Sequence, residues 1–113
     1  MFVLLNGSVI AEKAEKAEGF FRRAKGLIGR KKFDEGCCFV IPRCNAVHTF
    51  FMSFSMDAAA VNKENRVIAV KKRIKPWSVF IARGGSCIYE FPQDFTEKKN
   101  IKKGDILSLN EKE

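Results

Sequence analysis

The sequence predicts an α+β fold: a β-rich antiparallel sheet, curled or closed into a small barrel, with one short N-terminal helix. Three observations carry that expectation. Short apolar runs recur along the chain, each soon cut off by Gly, Pro, Asn or Asp. Only residues 18–28 hold a firm series of apolar side chains three and four apart. Eleven phenylalanines stand against one tryptophan and one tyrosine. A ring with no polar atom belongs in a core, so many short elements must share an interior. At 113 residues the chain fits a single domain spanning 1–113. A chain of this size can bury roughly two-thirds of its unfolded surface without disulfides or metal.

The elements follow in order. Residues 2–5 and 8–11 form a hairpin, because Asn6-Gly7 supplies the two positive-φ positions of a type I′ turn. Residues 11–18 have the composition of a helix, but their periodicity does not decide between helix and strand. In 18–28, Phe20 or Phe21, Ala24, Leu27 and Ile28 recur at helical spacing, and Gly29 is a stop signal. Arg30 suits the carboxyl end of the helix dipole. Residues 37–41 read as a buried strand ended by Pro42. Residues 47–54 are rich in aromatic and β-branched side chains and read as another strand. A short strand at 56–61 follows a bend. Residues 62–65 turn the chain and 66–70 return it. Residues 74–77 are a loop and Gly84-Gly85 a turn. A strand at 86–91 stops at Pro92, one helical turn falls within 94–100, and 106–109 is the last strand. Residues 110–113 fray.

Apolar residues make up 46% of the chain and charged residues 30%, a globular balance. No apolar run approaches the roughly 20 residues that span a bilayer, so no membrane insertion is expected. The opening apolar stretch is too short for a signal peptide and lacks a basic flank. A cytoplasmic protein with reduced thiols is therefore expected, its four cysteines notwithstanding. The net charge is +8, gathered at Arg22-Arg23-Ala24-Lys25, Arg30-Lys31-Lys32, Lys71-Lys72-Arg73-Ile74-Lys75, Lys98-Lys99 and Lys102-Lys103. Such clusters attract nucleic acid or anionic lipid, or simply form a solvated face.

The densest run of chemistry is His48-Thr49-Phe50-Phe51-Met52-Ser53-Phe54-Ser55-Met56-Asp57. His48 is the only histidine. It could act as a base or ligate a metal. Cys37, Cys38, Cys44 and His48 offer zinc the right atoms, but paired knuckle spacing is missing and adjacent cysteines on a strand point to opposite faces. No metal or cofactor is expected. Cys38 or Cys44 could form a nucleophilic pair with His48, or be a small buried hydrophobe. Asp57 is unexpected at the end of an aromatic, Met-rich run. It either accepts from backbone amides at a bend or pairs with Arg22, Arg30 or Arg66, or else stands at the mouth of a pocket with Glu90 as partner carboxylate. The rings of the run either line a cleft or fill a core. Trp77, after Pro76 in a basic stretch, either stacks a base or lipid headgroup, or lids one end of the sheet. Phosphate-binding glycine loops, nucleophile elbows and His-Glu-x-x-His pairs are missing.

These residues resemble a known family, domain of unknown function 192, also called uncharacterised protein family 0127. Residues 17–30, ending in Arg-Arg-Ala-Lys-Gly-Leu-Ile-Gly-Arg, are similar to its arginine, glycine-leucine, basic signature. Residues 47–57 are similar to its His-Thr-Phe-x-Met-x-Phe-x-Ile-Asp pattern. Val67, Pro76-Trp77, Tyr89-Glu90-Phe91-Pro92 and Gly104-Asp105 follow in the family's order. The resemblance implies a β-rich domain with a short helix at 18–28 and strand, not helix, over 8–16. It implies no established activity. Two departures stand out. Gln93-Asp94 replaces the usual Ala-Gly, and Ala58-Ala59-Ala60 replaces bulkier aliphatics.

Three functions compete. The first is a non-enzymatic ligand- or partner-binding module with a pocket edged by His48, Thr49, Met52, Asp57 and Glu90 near Arg22 and Arg30, taking a small molecule or peptide. The second is a hydrolase or transferase using His48 with Asp57 or a cysteine. The third is nucleic-acid binding through the basic surface. Oligomeric state is left open.

Overall fold

Asn6 and Gly7 both take positive φ, 50° and 88°. They join β1 (Phe2–Leu5) to β2 (Ser8–Ala11) in the expected antiparallel hairpin. This computed structural model describes residues 1–17 and 33–111. The helix expected at 18–28, and with it Arg22 and Arg30, lies outside the described residues.

Ten strands and one short helix are described. After the hairpin come β3 (Lys13–Lys16), β4 (Cys37–Pro42), β5 (Ala46–His48), β6 (Met56–Val61) and β7 (Val67–Ile74). Then follow β8 (Val79–Ile81), β9 (Cys87–Pro92), α1 (Phe95–Lys98) and β10 (Leu107–Asn110). They make three sheets. The central one has the order β3-β4-β9-β6-β7, flanked by a three-stranded sheet β10-β1-β2 and a pair β5-β8. Among the described residues no barrel closes, because there β3 and β7 are edges of the central sheet. The pairing is antiparallel except for β3 beside β4, which is parallel. The one helix among the described residues lies near the far end of the chain.

Layering explains why the central sheet stays open. Its inner strands β4, β9 and β6 are buried on both faces. Phe39, Ile41, Met56, Ala58, Ala60 and Ile88 pack with Val47 of β5 and Phe80 of β8. Val40, Ala59, Val61, Tyr89 and Phe91 pack on the opposite side with Val3 of β1, Leu107 of β10 and Phe95 of α1. Apolar faces covered by a separate layer on each side gain nothing from curling onto each other. All six residues of β6 are buried, and Ala58, Ala59 and Ala60 are fully so.

Two local expectations change, and a third is met. Residues 13–16 pair as a strand, as the resemblance implies, in spite of their helix-forming composition. The amides of Lys13 and Ala17 donate to the carbonyls of Gly36 and Val40, and that of Ala14 to Met1. Tertiary pairing outweighs a weak intrinsic preference. The strand expected at 47–54 ends at His48, because the amide of Met52 turns back to the carbonyl of Thr49 at 3.2 Å and Phe51 takes φ 67°. Residues 79–81, not recognised from the sequence, pair with β5.

The hairpin turn is fastened to the far end of the chain. Asn6 exchanges backbone and side-chain hydrogen bonds with Ile106 and donates its amide to Asp105 at 3.2 Å. The Lys102 amide also donates to Asp105 at 3.0 Å. These donors, that amide foremost, hold the Asp105 carboxyl below the usual carboxylate range.

Candidate functional site

Asp57 is fully buried in β6. One carboxylate oxygen accepts from the Arg73 amide at 3.0 Å. The other accepts from the Thr96 amide at 3.0 Å and the Thr96 hydroxyl at 2.5 Å. The register of β6 against β7 shifts between Met56 and Ala58, and Arg73 opposite takes φ 51°. The carboxylate satisfies the amide that this bulge turns away from the ladder. It also ties α1 to the sheet. Asp57 therefore follows the structural alternative, with Arg73 and Thr96 as partners in place of Arg66.

Thr49 is also fully buried, and it staples the next stretch of chain. Its hydroxyl donates to the Lys75 carbonyl at 2.6 Å and accepts from the Ser78 amide at 2.8 Å. Its own amide donates to the Ser78 carbonyl, and its carbonyl accepts from the Trp77 amide at 3.0 Å. The two buried polar residues of the motif thus hold Arg73 and residues 75–78, on either side of the end of β7.

What these staples display is aromatic. Phe51 and Trp77 are each 61% exposed, and both hold positive φ, 67° and 60°. His48 stacks on Phe50 at 4.6 Å between centroids, and Phe50 stacks on Trp77 at 5.8 Å. Phe51 leans on Trp77 at 4.7 Å. The His48 ring is fixed further, its Nδ1 accepting from the Phe50 amide at 3.2 Å. In the pair β5-β8, Val47 and Phe80 point to the core, so alternation turns His48 and Val79 outward, with Ala46 and Ile81 beside them. Val79 is 50% and Ile81 65% exposed. The result is an apolar stripe running from Ile81 through Val79 and the rings to Phe51.

A groove of about 500 Å³ adjoins the stripe. Lys71, Lys72, Arg73 and Lys75 line it opposite Ser78 and Val79. Arg73 is already engaged, forming two bonds to Asp94 at 2.8 and 3.2 Å. That guanidinium holds the Asp94 carboxyl below its usual range. Asp94 itself has φ 71°, a conformation glycine adopts without steric cost. This accounts for the glycine the resemblance places there.

The residues expected to share a pocket are not on one wall. Asp57 alternates with Met56 and Ala58, so it faces the α1 side of the sheet. His48 lies beyond the opposite face, and Met52 is core. Glu90 is fully buried in β9, in register with Ala58 and Phe39, and alternation puts it on the face away from Asp57. Cys38 is buried in the layer opposite that of β5. Burial pushes its thiol well up, and the charge of Glu90 adds to this, the reverse of what a nucleophile needs. The Cys44 thiol donates to the Ala46 carbonyl at 2.8 Å. Among the described residues no three His, Cys, Asp or Glu side chains cluster to hold a metal. A cleft of about 730 Å³ lies elsewhere, between Phe33, Phe54, Pro92, Phe95, Lys98 and Lys99. The stripe's aliphatic end, Val79 and Ile81, escaped sequence reasoning because the strand carrying it did.

The model of the family DUF192, described as "Uncharacterized ACR, COG1430", matches residues 3–109. The chain belongs to this family. Two relatives called UPF0127 protein align with it. That of Thermococcus sibiricus is 30% identical over 89% of this chain and 68% of its own length. That of Thermococcus kodakarensis is 29% identical over 85% of this chain and 64% of its own. The chain thus spans about two-thirds of each. A crystal structure of a protein of unknown function from Novosphingobium aromaticivorans is similar in fold, with a TM-score of 0.78 at 19% identity. The likeness covers 96% of this chain and 84% of that one. Thr49 and Asp57 both lie within the stretch that the family model matches. Among the described residues no helix is long and apolar enough to cross a membrane.

Proposed function

We propose that this DUF192 protein is a non-enzymatic binding module whose contact surface is the aromatic stripe with its lysine-lined groove. The observation that carries the reading is the outward display of Phe51, Trp77 and Ile81 on a frame that Thr49 fixes. Large apolar side chains held in the open by positive-φ backbone cost free energy, and a contact that buries them recovers it. The adjoining amines select an anionic group beside an apolar one. Acid–base catalysis gains no comparable support, since Asp57 is committed to Arg73 and Thr96 and lies across the sheet from His48.

The test uses anilinonaphthalene sulfonate, a small aromatic anion of the matching chemistry. It is expected to bind the folded protein and quench Trp77, the only tryptophan. The double variant Phe51→Ser/Ile81→Ser should weaken this by about tenfold or more, since each side chain buries apolar surface on contact. Equal binding by the variant, at an unchanged unfolding midpoint, would sink the reading.

A further inference from the structure

We infer that the occupant of this surface is an anionic lipid bilayer, which the protein touches peripherally through Phe50, Phe51, Trp77, Val79 and Ile81; the inference rests on the binding reading above. Four features separate a bilayer from other polyanions and from a protein partner.

The first is how the rings are used. Single-stranded nucleic acid binds to exposed aromatic faces on which bases stack. Here Phe50 has His48 against one side and Trp77 against the other, and Trp77 also carries Phe51. Phe50 is stacked on both neighbours and Phe51 meets Trp77 at a 58° tilt, so the exposed rings do not form one flat stacking platform. The second is the aliphatic end. Val79 and Ile81 continue the stripe, and neither can stack a base. A headgroup–acyl boundary accepts aromatic and aliphatic side chains alike.

The third is charge. The groove beside the stripe brings together Lys71, Lys72, Arg73 and Lys75, and among the described residues no carboxylate lines it. Arg73 is engaged with Asp94, which leaves the three lysines of the groove to meet an anion. Lysine is depleted from protein–protein interfaces, whereas lysines around an apolar tip are suited to lipid phosphates. The fourth is arrangement. The exposed apolar residues come from two turns and a short strand, with the two turns stapled together by Thr49, so they can enter a surface without the chain crossing it.

The experiment mixes the intact protein with vesicles of phosphatidylcholine, with or without phosphatidylglycerol, and follows Trp77 emission and co-sedimentation. Binding is expected only when phosphatidylglycerol is present. Trp77 should shift to the blue and be quenched by lipids brominated near the headgroup end of the acyl chain, and added salt should weaken the association. Replacing Lys71 or Lys72 by Gln should weaken it about fivefold each. Phe51→Ser/Ile81→Ser should abolish the bromolipid quenching while leaving the unfolding midpoint in place, because both side chains are exposed. No binding to phosphatidylglycerol vesicles at low salt overturns the inference, as does tighter binding to oligothymidylate than to the vesicles. Binding without bromolipid quenching of Trp77 overturns it too. If vesicles fail while anilinonaphthalene sulfonate still binds at the stripe, only the lipid assignment falls; if both fail, the binding reading falls with it.

Discussion

Asp57 stabilises three donors at once, and its loss leaves them all without an acceptor. In Asp57→Ala the amides of Arg73 and Thr96 and the Thr96 hydroxyl lose an acceptor that is itself fully buried. Each buried orphan costs about 1–3 kcal/mol, so a total loss of about 3 kcal/mol or more is expected in urea unfolding. A change below about 1 kcal/mol, less than a single orphaned donor costs, would mean that water reaches the site. The sequence marks Asp57 as anomalous, a charged residue closing an aromatic run, and raises backbone amides at a bend as its partners. It does not reveal which amides. Arg73 and Thr96 lie 16 and 39 residues away, and only the fold brings them in. Thr49 is harder to read. A threonine among β-branched and aromatic residues fits a strand, and nothing local signals that its hydroxyl bonds to residues 75 and 78.

At the scale of elements, turn chemistry was legible where a turn closes on itself. Asn6-Gly7 and the turn at 62–65, where Asn62 accepts from the amides of Glu64 and Arg66, both stand as expected. Strands that end because a distant side chain captures them were not. Residues 49–54 have strand composition and lose it to Thr49 and Met52. The pair Gly84-Gly85 is a turn as expected, but only Gly84 needs positive φ, at 86°. Gly85 is required for space. A Cβ there would sit 3.0 Å from the Ala82 carbonyl oxygen, and 3.6 Å from Ala60 and Asn45. The Ala82 oxygen already accepts from the Gly85 amide at 3.0 Å, so neither group can retreat without breaking that bond. Gly85→Ala should cost roughly 1–3 kcal/mol, the usual range for overpacking, whereas Gly7 has open space around it and only its φ to lose. Equal stability of Gly85→Ala and the parent in thermal unfolding would show that the turn yields.

For the molecule as a whole, the buried titratable groups set an alkaline limit. Burial, and then the neighbouring Cys44 sulfur, push the Cys87 thiol up to about 11. Burial raises Cys38 and Tyr89 as well. The folded state keeps protons that the unfolded chain gives up near the ordinary thiol value of 9.0. Stability from this source is therefore complete below that value and declines as pH rises towards about 11. The urea midpoint should fall between these limits, and Cys87→Ser should flatten the decline relative to the parent. Parallel profiles for the two proteins would remove Cys87 from the account. The layered architecture was only partly legible at this scale. A β-rich α+β chain followed from short runs and their punctuation, but a barrel and a three-layer stack bury the same residues. What separates them is which faces meet, and composition does not carry that information. The family match over residues 3–109 fixes kinship and leaves activity to experiment.

The lock between Asn6 and residues 105–106 bears on how the chain finds its fold. These bonds join groups about a hundred positions apart. β1 pairs with β10 in full register from Phe2↔Asn110 to Leu5↔Leu107, and Leu107 and Val3 belong to the same buried layer. On a ribosome, this hairpin emerges about a hundred residues before β10 and must wait for it before the open edge of β1 is paired. Until then β1 presents unpaired amides and carbonyls that a neighbouring nascent chain can capture. Non-local pairing of this kind slows folding, so the N-terminal hairpin is where early misassembly would begin.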